Sequence, residues 1–126
     1  MDIPKTGNLI VDLTFSFGVT MLKYCDELSE LKKYNIANQL SRSATSIGAN
    51  VAEAQSSESS ADFIHKMKIA QKEAHETQYW LRLCKYADGY EFKEEYNTAL
   101  SDIIRVIGKI IATTRSRNAV IFPKDT

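Results

Sequence analysis

Two histidines and two cysteines, His65, His75, Cys25 and Cys84, are the chain's stock of soft ligands and strong nucleophiles. Asp62-Phe-Ile-His65 sets a carboxylate and an imidazole one helical turn apart, which is half of a metal-binding pattern. A two-metal carboxylate centre in a helical bundle needs Glu-x-x-His on each of two helices and two further carboxylates. The chain has no second set, so both histidines are expected on the surface. Cys25 and Cys84 lie far apart with no Cys or His at ligand spacing; this fits neither a disulfide framework nor a metal site and suits a reducing cytoplasm. A glycine-rich phosphate loop, a Gly-x-Ser-x-Gly elbow and a nearby Cys-His pair are all missing. No catalytic residue, cofactor or metal is therefore expected, and an enzymatic reading would require a metal or ligand that copurifies with the protein.

Charge offers a second kind of chemistry. Lys plus Arg equals Asp plus Glu at 16 each, so no net field draws polyanions or anionic membranes. Locally the balance breaks: from Ile103 to Lys124 the chain carries Arg105, Lys109, Arg115, Arg117 and Lys124 without one acidic residue before Asp125. Cations near a helix C-terminus complement its dipole, which is one sufficient reason for them. Repeated around an oligomer, Arg105, Lys109, Arg115 and Arg117 would also form a multivalent contact for RNA, DNA or an acidic protein.

These residues must be held by helices. The chain's 126 residues suffice for one domain, 1–126, and 44% apolar with 25% charged residues is an ordinary globular balance. Prolines occur only at Pro4 and Pro123, leaving everything between them free to be helical. Ile10, Leu13, Phe17, Met21, Tyr24, Leu28 and Leu31 step by threes and fours, predicting a first helix over about 8–32. Ile36, Leu40, Ala44, Ile47, Val51 and Ala54 predict a second over about 35–55. Gln55-Ser-Ser-Glu-Ser-Ser60 has nothing to bury and reads as a loop, with Ser59 and Asp62 at capping-box spacing. Phe63, Met67, Ala70, Ala74, Thr77, Leu81 and Cys84 predict a third helix over about 60–88, ending near Gly89. Tyr96, Leu100, Ile103, Ile107, Ile110 and Thr114 predict a fourth over about 92–117, followed by a short tail. Four such helices joined by short loops predict an all-α, up-down-up-down antiparallel four-helix bundle. No leader-like amino terminus and no run of about 18 apolar residues is present, so secretion and membrane insertion are not expected.

The apolar residues exceed what one stripe needs. Val11, Phe15, Val19 and Leu22 point away from Phe17, Met21 and Tyr24, with Gly18 among them offering close backbone approach. Helix four adds Ile104, Val106 and Ile111, and helix three adds Tyr79, Trp80, Leu83 and Tyr86. At about 25 cal/mol per Å² of apolar surface, leaving all of these wet favours association, so a homo-oligomer interface through Val11, Phe15, Gly18, Val19 and Leu22 is expected. The competing expectation is that the amino-terminal segment or Val120-Ile-Phe122 folds back over the patch.

On helix two, Arg42, Ser46, Asn50 and Glu53 share one side at the edge of the apolar stripe. Either they are solvated, or they form a structural polar network with Glu76 of helix three as the second carboxylate, beside the small residues Ala70, Ala74 and Thr77.

The order of residues Ile36-Ala-Asn-Gln39-Leu40-Ser-Arg42-Ser-Ala44-Thr-Ser46-Ile47-Gly-Ala-Asn50-Val51-Ala52-Glu53, with Ser59, Asp62-Phe63, Ala70, Glu76 and Leu81, resembles the four-helix-bundle proteins encoded by intervening sequences of bacterial 23S ribosomal RNA genes. Helices two and three carry the resemblance; helices one and four follow it in pattern. It implies a small cytoplasmic homopentamer of largely unassigned role, related to accessory proteins of diversity-generating retroelements, which bind a reverse transcriptase and nucleic acid. Gly48 stands where that family commonly has proline, and Ala54-Gln-Ser-Ser-Glu58 replaces a loop usually rich in glycine and basic residues. The expected function is therefore a non-enzymatic homo-oligomeric scaffold or adaptor, with nucleic-acid binding through the basic end of helix four as the alternative.

Overall fold

Asn8 opens the first helix by accepting the Val11 amide on its side chain at 3.4 Å, while Thr6 donates its amide (3.0 Å) and hydroxyl (2.8 Å) to Asp12. In this computed structural model, which describes the backbone of residues 2–121 and the side chains of residues 2–118, helix α1 runs over Leu9–Glu30. It ends in a Schellman turn: Lys33 N–H bonds Leu28 C=O at 2.8 Å and Lys32 N–H bonds Ser29 C=O at 2.9 Å, with Lys32 at φ 63°. Helix α2 covers Tyr34–Ala54. Ser59 then caps α3, Ser60–Tyr86, by accepting the Asp62 amide at 3.1 Å, as the Ser-x-x-Asp spacing predicts. Helix α4 is Glu94–Ile121.

The four antiparallel helices pack in sequence order, and α4 closes back on α1, giving the up-down-up-down bundle. The seam between α1 and α4 is the thinnest. Along the axis, Met21, Leu40, Ala44, Ile47, Val51, Met67, Ala70, Ala74, Leu81 and Ile107 are sealed from solvent. Tyr24 is buried with them and donates its hydroxyl to Glu91 C=O at 2.6 Å, tying α1 to the α3–α4 connection. Among the described residues, Thr14, Ser43 and Thr77 are polar and buried. Thr14 bonds Ile10 C=O at 2.8 Å, and Thr77 bonds Glu73 C=O at 2.8 Å while sharing a hydrogen bond with Ser43.

Several expectations shift. Leu31 is 44% exposed because the helix has already turned out of register at its cap. In α4 the buried position after Ile107 is Ile111 and not Ile110, since a straight helix of 3.6 residues per turn drifts from a strict seven-residue repeat. Ile111 therefore belongs to the subunit's own core, and Ile104 and Val106 pack against it half-buried. Helix α3 stops at Tyr86 instead of 88, and Gly89, at φ 81°, turns the connection that follows. The backbone of Ala119–Ile121, expected as tail, continues α4; the proposed fold-back of Phe122 lies outside the described residues.

Candidate functional site

Four residues on α1 were expected to seek burial on a second face, and the bundle leaves them at a groove. Phe15 is 57% exposed, Leu22 50% and Val19 37%, while Val11 and Gly18 are half-buried. Helix α2 contributes Thr45, Gly48, Ala49 and Ala52 to the opposite wall, giving an apolar groove of about 410 Å³ without a charged residue in its lining. Gly48 brings the two helices together: a Cβ there would sit 3.4 Å from the Thr14 carbonyl oxygen. The amino-terminal segment stays at the first turn of α1 through Thr6 and Asp12, and Asn8 donates to Gln55 at 3.1 Å, so it leaves Phe15, Val19 and Leu22 uncovered.

A larger groove, about 770 Å³, lies at the other end of the bundle between the start of α2 and the end of α3. Tyr79, Leu83 and Tyr86 stand along its α3 edge at 56%, 43% and 75% exposure. Ile36, Gln39 and Tyr90 complete it, which the sequence pattern did not indicate because Tyr90 comes from the connection after α3. Trp80 is half-buried and donates its indole N–H to Glu76 at 3.1 Å. Lys33 lies over the Tyr90 ring at 4.8 Å.

The polar residues of α2 do not make one buried network. Arg42 forks between Glu76 and Glu73, the latter at 3.5 Å, and its side chain is 54% exposed. Glu53 pairs with Lys66 at 2.8 Å. Ser46 bonds the Arg42 carbonyl at 2.7 Å, and Asn50 the Ser46 carbonyl at 2.9 Å, so both serve α2 itself. Their long side chains lie along the α2–α3 surface because the axis between these helices is already filled by Ala44, Ala70 and Ala74. Glu73 and Lys66 were not foreseen; the only available signal was that Glu73 stands one turn before Thr77 on the same side of α3. Glu73 is largely buried and its Oε2 has no hydrogen-bond partner among the described residues.

Arg105, Lys109, Arg115 and Arg117 are all exposed, and Arg105 bonds Asp102 at 3.3 Å. His65 and His75 are exposed too, and no metal-binding cluster of His, Cys, Asp or Glu occurs among the described residues. Cys25 and Cys84 are free, buried thiols. Burial, reinforced by Cys84, pushes Cys25 up to about 12. Desolvation likewise raises Cys84, partly opposed by the nearby Tyr24 hydroxyl, and it raises the Tyr24 phenol. Neither thiol is a ready nucleophile near neutral pH. Among the described residues no helix is long and apolar enough to cross a membrane.

The pattern of the 23S rRNA-intervening sequence proteins matches residues 8–112, from the N-cap of α1 well into α4. The chain belongs to that family. A crystal structure of an S23 ribosomal protein family member from Bacteroides thetaiotaomicron, described as a protein of unknown function, is similar to this intervening-sequence protein with a TM-score of 0.77 and 38% identity. The alignment covers 83% of this chain and 96% of that one. No curated protein matches the chain. Arg105 and Lys109 fall within the family match of this intervening-sequence protein, whereas Arg115 and Arg117 lie beyond it.

Proposed function

We propose that this intervening-sequence protein is a non-catalytic, homo-oligomeric scaffold or adaptor of a reducing cytoplasm, with the α1 face as its self-association surface. One observation carries the reading: Phe15, Val19 and Leu22 form an exposed line beside an uncharged groove, where burial in a partner would be favourable by about 25 cal/mol per Å². The family resemblance supports a pentamer as the assembly. Phe15→Glu tests the surface, since a carboxylate at a half-exposed position is tolerated by the subunit and opposed by a dry interface. Light scattering is expected to give a lower mass for the variant than for the wild type; an unchanged mass would overturn this surface.

A second reading is supported by the exposed Arg105, Lys109, Arg115 and Arg117 on a half of α4 that has no acidic residue after Asp102. In an oligomer these would be repeated and would bind RNA or DNA by counterion release. Binding that weakens steeply with added salt is the expected result. No binding to RNA or DNA at about 50 mM salt would remove this reading.

A further inference from the structure

The subunit has two separate exposed apolar surfaces, and they differ in the charges around them. On α1, Phe15, Val19 and Leu22 flank the α1–α2 groove; on α3, Tyr79, Leu83 and Tyr86 follow one another at i, i+4 and i+7 as an exposed row, the α3 ridge, along the edge of the α2–α3 groove. We propose that these are the two halves of one contact, in which the α3 ridge of one copy seats in the α1–α2 groove of the next. This pairing rests on the self-association reading above and names its other half.

Charge favours the mixed pairing. Asp26 continues the Phe15–Val19–Leu22 line one turn on and Asp12 flanks it at the other end, with the cation Lys23 beside Leu22. The α3 ridge is continued by Lys72 and His75 and flanked by Arg82, while Glu76, one turn before Tyr79, is held by Arg42. Asp26, Lys72 and Arg82 have no ion-pair partner among the described residues. Pairing α1 with α1 would set acidic side chains against acidic ones, and pairing α3 with α3 basic against basic; groove against ridge sets opposite signs together.

Area agrees with this. From their fractional exposures, with about 150–250 Å² for a whole aromatic side chain and less for Val and Leu, the α1 trio leaves about 250 Å² of apolar surface wet and the α3 trio about 300 Å². Two trios together supply about 550 Å², most of the apolar share of an interface at the lower limit of about 1,200 Å², and the exposed Thr45, Ala49 and Ala52 of the groove wall add to it. One trio alone falls well short. Since the two surfaces differ, the contact is heterologous: each copy keeps one free groove and one free ridge until a ring closes.

The experiment uses two full-length variants, Phe15→Glu to disable the groove and Tyr79→Glu to disable the ridge, both at positions more than half exposed. Circular dichroism confirms that each retains its helices, and Tyr86→Glu replaces Tyr79→Glu if that one does not. Each variant alone is expected to sediment as a monomer, and their equal mixture to give a species of twice the monomer mass through the one intact groove and the one intact ridge. A dimer formed by either variant alone, or a mixture that stays monomeric at a concentration where the wild type is assembled, would overturn the pairing. An assembled wild type whose mass survives Tyr79→Glu would also overturn it while leaving self-association standing. A monomeric wild type would overturn both.

Discussion

Across the α2–α3 seam the hydroxyls of Ser43 and Thr77 lie 2.9 Å apart, both sealed from solvent. Each is the other's polar partner between helices, next in sequence to the buried Ala44 on α2 and one turn from the buried Ala74 on α3. Thr77→Val removes one hydroxyl and leaves the Ser43 hydroxyl with a weak 3.4 Å bond to Leu40 C=O, at a cost of about 1–2 kcal/mol. Adding Ser43→Ala removes the second polar group, so the double variant should be more stable than the sum of the single changes predicts, by about 1 kcal/mol. Urea melts of the four proteins measure this, and strict additivity would contradict it.

Arg42 and Glu73 respond differently to removal. Arg42 is half in water, but removing it takes the ion-pair partner from the largely buried Glu73, so Arg42→Ala should cost about 1–3 kcal/mol, more than an exposed pair. Glu73 is largely buried with one orphan oxygen, and Glu73→Met fills its space without a desolvated charge. That variant should equal or exceed the wild type in stability. Denaturant midpoints decide, and a loss above about 2 kcal/mol in Glu73→Met would show that the carboxylate is well compensated.

Lys32 holds the left-handed position of the turn after α1 at φ 63°, where a Cβ costs about 1 kcal/mol relative to glycine. Lys32→Gly should therefore raise the melting midpoint, offset in part by the greater freedom of the unfolded chain. A lower midpoint would mean that this entropy loss dominates.

Alkaline pH should weaken the fold through its thiols. Cys25 is pushed up to about 12 and Cys84 is raised as well, both by burial, whereas unfolding returns them to the ordinary value near 9. Above that value the unfolded chain sheds protons that the folded chain keeps, so stability is full below pH 9 and falls as pH rises toward 12. Urea midpoints should be lower at about pH 10 than at about pH 7. In the same range thiol reagents should label the native protein slowly and the urea-unfolded protein at once.

Gly18 separates the subunit's stability from its assembly. A Cβ there would meet nothing within 4 Å in the subunit, so Gly18→Ala on the Phe15→Glu background should gain up to about 1 kcal/mol of helix stability. On the wild-type background the same methyl would stand in the groove proposed to receive the α3 ridge and should weaken the assembly. Mass against dilution and the chemical melt give the two readings.

The sequence by itself determined what each helix does alone. Threes and fours in α1 through α3 marked the buried stripes, Ser59 and Asp62 marked the start of α3, and the second apolar face of α1 marked a surplus. These are local properties, set by the angle between successive residues and by backbone groups within one turn. Tertiary structure decided the partners. Arg42 divides between two carboxylates, Glu53 takes Lys66 rather than Arg42, Ile111 rather than Ile110 turns inward, and Tyr90 joins the α3 groove. Each depends on how far one helix is rotated about its axis and how closely the next approaches. That is fixed by the packing of all four at once and is absent from any single helix's spacing.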